Sequence, residues 1–174
     1  MPFSPRLRLP RRRQPSLRFH TDAHHWGILV PDPDRELVIP GFREAAMLAL
    51  DIHEFAVCNE VLVLLDERRV VTAMLFDPPA EVGLFIGESL PPGVEAPFCQ
   101  TLDIVLENRV KPGPPSQRDC EGFHALRRAH MAQGLLLMDV LLSDGDNVRS
   151  LAIGCDPDPI WYEEFAPHTY DPGP

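Results

Sequence analysis

Three histidines and one aspartate lie within six residues near the start of the chain, and both residue types bind metal ions. The segment reads His20-Thr-Asp22-Ala-His24-His25. Imidazole nitrogens and carboxylate oxygens are common zinc ligands, so these side chains could hold a metal ion. A site on one short segment would bind weakly, because no surrounding residues orient its ligands. The alternative, which the pattern favours, is ordinary surface histidines beside a predicted strand that begins at Gly27.

Ser116 and Asp119 have the spacing of a helix start. A serine ahead of a helix accepts a hydrogen bond from the backbone three residues on, and an acid at that third position reaches back to the serine. The sequence predicts a helix from Ser116 to about residue 133, which Gly134 ends. Four residues lie at helical spacing along it: Phe123, Leu126, Arg127 and His130. Helix capping therefore explains Ser116 and Asp119 without any active site.

Two further patterns of polar residues are explained by structure rather than by chemistry. The segment 143–147 carries acids at calcium-like spacing but lacks the distal glutamate of a calcium loop. Its Asp-Gly pair is typical of a β-hairpin turn. His124 and His130 lie about 240° apart around the predicted helix, so they do not face one ligand. The sequence contains no phosphate-binding glycine loop, nucleophile elbow or dinucleotide-binding fingerprint.

The four cysteines, Cys58, Cys99, Cys120 and Cys155, form no closely spaced pair. A structural zinc site takes its cysteines in pairs two to four residues apart, so this spacing argues against one. We therefore expect four free thiols in a reducing compartment. No apolar run approaches the ~20 residues of a membrane span, and no signal peptide follows the early arginines. These features predict a cytoplasmic protein that is not bound to a membrane.

The charge of the chain is divided unevenly. The net charge is −10, but residues 1–18 carry six arginines and no acid, which leaves ten basic and 26 acidic residues, a net of −16, after residue 18. An acidic body repels nucleic acid, so only the first 18 residues could attract it. Their prolines predict a disordered basic arm, which is either a tether to nucleic acid or an acidic partner, or a solvated tail. The arginines of this arm are Arg6, Arg8, Arg11, Arg12, Arg13 and Arg18.

The remaining chain predicts one α/β domain over residues 19–165, followed by a proline-rich tail at 166–174. A hydrophobic content of 44% is enough for a core. Helix formers at helical spacing predict a helix over 41–52. Apolar runs predict a hairpin of 61–65 and 70–76 around a charged turn, and 88–97 is predicted to be loop. Further strands are predicted at 83–86, 102–106, 135–142 and 148–153.

The order of these elements resembles the JAB/MPN (JAMM) metalloprotease domain, in the version found in RadC-type bacterial proteins. The family fingerprint is a strand ending in His-x-His-Pro, a short Gly/Pro loop, and Ser-x-x-Asp at the start of a helix. The matching stretch reads Glu107-Asn-Arg109-Val-Lys-Pro-Gly-Pro-Pro-Ser116-Gln-Arg-Asp119, with a loop about one residue shorter. The resemblance covers roughly residues 54–154. It implies a cytidine-deaminase-like α/β (α+β) domain with a mixed sheet, β-hairpins and flanking helices.

The resemblance also implies roles for individual positions. In the family the two histidines and the aspartate bind zinc, and an upstream glutamate acts as the general base. Asp119 and Ser116 match the aspartate and the serine, and either Glu60 or Glu54 matches the upstream glutamate. The two histidine positions are occupied by other residues, namely Glu107 and Arg109.

This departure from the family pattern determines the expected chemistry. Zinc hydrolysis needs three protein ligands and an open position for water. Arginine stays protonated and has no lone pair for a metal, so we predict neither a metal nor another cofactor. The resemblance suggests that Arg109 takes the metal position and neutralises Glu107 and Asp119 in a salt-bridge cluster. The alternative is a loop arginine that faces solvent.

The sequence supports three hypotheses about function. The first is a non-catalytic JAB/MPN-like module that binds another protein or serves as a scaffold. The second is a divergent metal-dependent hydrolase of peptide, isopeptide or nucleic-acid bonds. It would need ligands from elsewhere, with His20, His24, His25 or His53 as donors. The third is an unrelated α/β domain. The first is the one we favour, because arginine at a ligand position opposes catalysis.

Overall fold

The computed structural model describes residues 27–29, 31, 34, 36–78 and 98–160. Several predictions from sequence fall outside these residues. They are the basic arm at 1–18, the histidines at 20, 24 and 25, the strand at 83–86, the loop at 88–97 and the tail at 166–174. Among the described residues no helix is both long and apolar enough to cross a membrane.

A six-stranded mixed sheet forms the centre of the fold. Its strands are β1 Gly27–Leu29, β2 Glu60–Leu65, β3 Val71–Phe76, β4 Gln100–Leu106, β5 Leu136–Ser143 and β6 Val148–Ser150. Their order across the sheet is β1-β3-β2-β4-β5-β6. β4 and β5 are parallel, and the other neighbours are antiparallel. The predicted α/β class with a mixed sheet and β-hairpins is confirmed.

The hairpin of β2 and β3 follows from two apolar runs around a charged turn. All five residues of 61–65 are buried, because β2 lies between β3 and β4 and is covered on both faces. In the turn, the Asp66 carboxylate accepts the backbone N–H groups of Arg68 and Val70 at 2.8 and 2.9 Å. Arg69 has a φ of 62°. The predicted hairpin is therefore confirmed.

In the described part of the chain three helices flank the sheet: α1 Phe42–Phe55, α2 Gln117–Met131 and α3 Leu151–Cys155. Consecutive strand residues point to opposite faces. Leu141 of β5 packs in the core cluster that contains Ala45 and Ile52 of α1. Its neighbour Val140 packs instead with Phe123 of α2. Therefore α1 covers one face of the sheet, and α2 covers the other together with α3.

The α2 helix connects the parallel strands β4 and β5, and it begins where the capping pattern predicts. The Ser116 hydroxyl accepts the Asp119 backbone N–H at 3.1 Å, and the Asp119 carboxylate accepts the Ser116 backbone N–H at 2.8 Å. After Met131 the chain leaves the helix through Gly134, whose φ is 75°. This helix is confirmed and ends two residues before the predicted position.

The predicted strand at 148–153 is wrong after Ser150. The chain turns there into α3, because two buried side chains hold the first turn of the helix. The Ser150 hydroxyl accepts the Ile153 N–H at 3.0 Å, and Asp139 of β5 accepts the Ala152 N–H at 3.0 Å. The apolar run 151–153 by itself gives no sign of this cap from a distant strand.

The prediction of four free thiols is also wrong. Cys120, near the start of α2, forms a disulfide with Cys155 at the end of α3, with the two Cα atoms 5.1 Å apart. The residues are separated by 35 positions, and packing of α3 against α2 brings them together. Cys58 and Cys99 are free.

Candidate functional site

The loop at 107–115, between β4 and α2, is held to the β5–β6 hairpin by three hydrogen bonds. The Glu107 N–H donates to the Ser143 carbonyl at 2.8 Å. The Val110 N–H donates to the Asp144 carboxylate at 2.8 Å. The Arg149 guanidinium donates to the carbonyl of Lys111 at 2.6 Å. These bonds fix the position of a loop that has no regular secondary structure of its own.

Asp144 organises the turn between β5 and β6. Besides Val110, its carboxylate accepts the backbone N–H groups of Asp146 and Asn147 at 3.0 and 2.8 Å. Burial raises the pKa of Asp144, but the N–H groups of Val110, Asn147 and Asp146 together lower it below its ordinary value. The hairpin turn predicted from the Asp-Gly pair is confirmed, and it uses both oxygens of this acid.

A cleft of about 740 Å³ lies between this loop and the hairpin. One wall is the loop from Arg109 to Pro115, and the other is β6 with Ile153 and Gly154 of α3. Phe42, the first residue of α1, also lines it. Three basic residues lie along the cleft: Arg109, Lys111 and Arg149. We call it the basic cleft.

The loop and α3 touch at the edge of the basic cleft, and this contact requires a glycine. A Cβ atom at Gly154 would lie 2.3 Å from Cδ of Pro115, and a proline ring has little freedom to move away. We expect Gly154→Ala to lower the free energy of unfolding by about 1–3 kcal/mol. Gly122→Ala is the matched control, because a Cβ there meets nothing within 4 Å. Alanine inside α2 should raise stability by about 0.5–1 kcal/mol.

Urea unfolding of both variants checks this prediction. Equal shifts of the two midpoints, or a higher midpoint for Gly154→Ala, would contradict the contact between Pro115 and Gly154.

The residues matched to the metalloprotease fingerprint do not form the expected salt-bridge cluster. Asp119 pairs with Ser116, whose hydroxyl donates to its carboxylate at 2.7 Å. This hydrogen bond is the main cause of the lowered pKa of Asp119, and the positive charges of Arg149 and Lys111 contribute. In the described part of the chain, no ion pair joins Arg109 to Glu107 or Asp119.

Arg109 and Glu107 lie on different clefts. Arg109 is exposed and lines the basic cleft, as expected for a loop arginine that faces solvent. Glu107 lines a second cleft of about 490 Å³. That cleft also contains His53 and Cys58. The pKa of Cys58 is raised to about 11, mainly by burial and to a smaller extent by the charge of Asp77. Its thiol is therefore protonated at neutral pH and is a poor nucleophile.

The two candidates for the upstream glutamate differ in position. Glu54 is exposed on α1. Glu60 begins β2 directly opposite Val105 of β4, two residues before Glu107. Its side chain hydrogen-bonds Asp103, a buried residue of β4 for which the residue pattern predicts no role. Burial raises the pKa of Asp103, and the charge and hydrogen bond of Glu60 raise it further. In the sequence, the sign of the Glu60–Asp103 pair is the carboxylate of Asp103 inside the otherwise apolar stretch 102–106.

The polar side chains around the loop are mainly cations and acids that accept hydrogen bonds. Within the described ranges, no three histidine, cysteine or acidic side chains are placed to hold a metal ion. Asp144 and Asp119 accept hydrogen bonds near the loop, whereas three cations line the basic cleft. No family model matches this sequence, and no curated protein or solved structure matches it.

Proposed function

We propose that this chain is a non-catalytic domain of the JAB/MPN (RadC) type that binds another protein. The order of hairpin, β4, loop, capped helix α2, β5 and β6 agrees with the order that the resemblance implies. The observation that carries the proposal is the Ser116–Asp119 capping box, which follows a loop with Glu107 and Arg109 at the two histidine positions. Binding remains available to such a domain without a catalytic metal.

Electrostatics near Asp119 supports the non-catalytic part of the proposal. A bound zinc would need Asp119 as a ligand beside Glu107. The charges that act on Asp119 are those of Arg149 on β6 and Lys111 on the loop, and Arg109 is a second cation of the loop. Fixed cations close to a metal position oppose metal binding, and arginine cannot replace histidine as a ligand.

A zinc-binding graft tests this proposal residue by residue. The double variant Glu107→His, Arg109→His restores the two histidines of the fingerprint, with Asp119 as the third ligand. We expect wild type to retain no zinc after gel filtration and the variant to bind about one zinc per chain. Elemental mass spectrometry and zinc titration measure both.

The control adds Asp119→Asn to the double variant, which keeps a hydrogen-bond acceptor for the helix cap and removes the ligand charge. It should lose most of the zinc affinity. Tight zinc binding by wild type would contradict the non-catalytic role and point to hydrolysis. Failure of the double variant to bind zinc would contradict the match of these positions to the family.

A cytoplasmic location and a nucleic-acid tether in residues 1–18 stay predictions. Disulfides are rare in the cytoplasm. Thiol trapping in cells measures whether the Cys120–Cys155 pair is oxidised, and it therefore tests the predicted location.

A further inference from the structure

The basic cleft concentrates positive charge in an otherwise acidic chain. After residue 18 the chain has ten basic residues against 26 acidic ones, and three of the ten line this cleft. Arg109 and Lys111 are exposed, and Arg149 is half-buried. Among the described ion pairs none uses these three residues. Their charge is therefore directed to the cleft and to the solvent around it.

The acids closest to this charge do not cancel it by direct pairing. Asp144 lines the same cleft, but its carboxylate accepts the N–H groups of Val110, Asp146 and Asn147. Asp119 is influenced by Arg149 and Lys111, yet its hydrogen bonds are to Ser116. An anionic ligand can therefore approach the three cations without displacing an existing ion pair.

The rest of the lining is largely apolar. Prolines 112, 114 and 115 lie on one wall, and Val148 and Ile153 lie on the other. The volume of about 740 Å³ exceeds what a single small anion needs and is typical of sites that bury a large apolar group beside a few polar contacts. Such a lining fits an apolar side chain that is flanked by carboxylates.

We propose that the basic cleft binds an acidic peptide segment of a partner protein, with its carboxylates at Arg109, Lys111 and Arg149 and an apolar side chain on the proline wall. This inference names the partner chemistry of the proposed binding role and rests on it. Nucleic acid is the less suitable ligand, because its bases need aromatic surface on which to stack. Phe42 is the one aromatic residue among the described lining, and at 5% exposure it offers little surface for a base to stack on.

The test uses the full-length chain and a fluorescein-labelled peptide, Glu-Glu-Leu-Phe-Glu-Glu, in a fluorescence anisotropy titration at low and physiological salt. Two twin peptides separate the contributions, one with every glutamate changed to glutamine and one with Leu-Phe changed to Ser-Ser. We expect both twins to bind more weakly than the parent. We also expect higher salt to weaken the parent, because partly exposed charges are screened.

Variants locate the binding on the protein. Arg109→Glu and Lys111→Glu should each weaken peptide binding by about five-fold or more, since each turns an attractive charge into a repulsive one. Arg128→Glu is the matched control, an exposed arginine on α2 that does not line the cleft, and it should change binding less than about two-fold. The arginines of residues 1–18 are present in every variant, so they cannot produce this difference.

Three outcomes would overturn the inference. The first is no anisotropy change up to about 1 mM protein. The second is an equal loss in Arg128→Glu, which would assign binding to overall charge. The third is a single-stranded oligonucleotide that binds more tightly than the peptide and is weakened by the same cleft variants. If the zinc graft succeeds and the peptide fails, only this inference fails. If the peptide binds and the zinc graft fails, peptide binding by the basic cleft is supported and the family assignment is contradicted.

Discussion

Replacing Asp139 by alanine is expected to lower the free energy of unfolding by about 3–4 kcal/mol, the largest loss that we predict for a single substitution. Asp139 is fully buried in β5. Its carboxylate accepts the Ser150 hydroxyl at 2.5 Å and the Ala152 N–H at 3.0 Å. Alanine would leave both donors buried without this acceptor, and each unsatisfied donor costs about 1–3 kcal/mol.

Asp139→Ala should destabilise mainly α3. Asp139 and Ser150 together hold the first turn of this five-residue helix, which is too short to be stable by itself. Because α3 supplies Ile153 and Gly154 to the basic cleft, Asp139→Ala should also weaken binding of the acidic peptide.

Urea unfolding measures the stability of the variant. Asp158→Ala is a suitable control, because Asp158 is exposed and donates its backbone N–H, rather than a side-chain group, to the Asp156 carboxylate. Its change should stay within about 0.5 kcal/mol. A loss below about 1 kcal/mol in Asp139→Ala would show that the capping network is not what holds α3.

The variant Asp103→Asn is expected to be more stable than wild type at neutral pH, because asparagine removes a buried carboxyl group whose pKa is raised. Burial and the neighbouring Glu60 raise the pKa of Asp103 well above 3.8. The folded protein therefore holds a proton that the unfolded chain releases. As pH rises from 3.8 to the raised pKa, the free energy of unfolding falls by up to about 1.4 kcal/mol per pH unit. Asparagine carries no such cost and can still donate to Glu60.

A second buried acid gives an internal comparison. Burial, followed by the charge of Glu54, raises the pKa of Asp51 to about 6. The contribution of Asp51 to the free energy of unfolding therefore falls only between about pH 4 and pH 6. Above that range, Asp51→Asn should raise the free energy of unfolding by at most about 3 kcal/mol. The acids with lowered pKa values act in the opposite direction and lose their contribution as pH falls below about 4. They are Asp119, Asp144 and Asp156.

Chemical unfolding from about pH 2 to pH 8 separates these contributions. Asp103→Asn should reduce the decline in the free energy of unfolding as pH rises above about 4. It should preserve the loss of stability below about pH 4, which comes from the acids with lowered pKa values. If the variant is less stable than wild type at pH 7, then Asp103 is ionised in the folded state and its pairing with Glu60 is a net gain.

Elements with local causes were predictable from the sequence alone. The apolar runs of β2 and β3, the helix formers of α1 and the Ser116–Asp119 cap of α2 act over a few residues, and the structure confirms each of them. The Asp-Gly turn at 143–147 is also local, because its hydrogen bonds to Asp144 come mostly from the next three residues. The acidic body and the basic segment at 1–18 follow directly from composition.

The features that join distant segments depend on the folded structure. The end of β6 and the start of α3 depend on Asp139, which lies 13 residues before Ala152. The Cys120–Cys155 disulfide depends on the packing of α3 against α2 across 35 residues. The basic cleft likewise forms because Arg149 reaches the carbonyl of Lys111, 38 residues earlier in the chain. Local patterns carry no information about such contacts, since they arise only when the sheet brings the loop and the hairpin side by side.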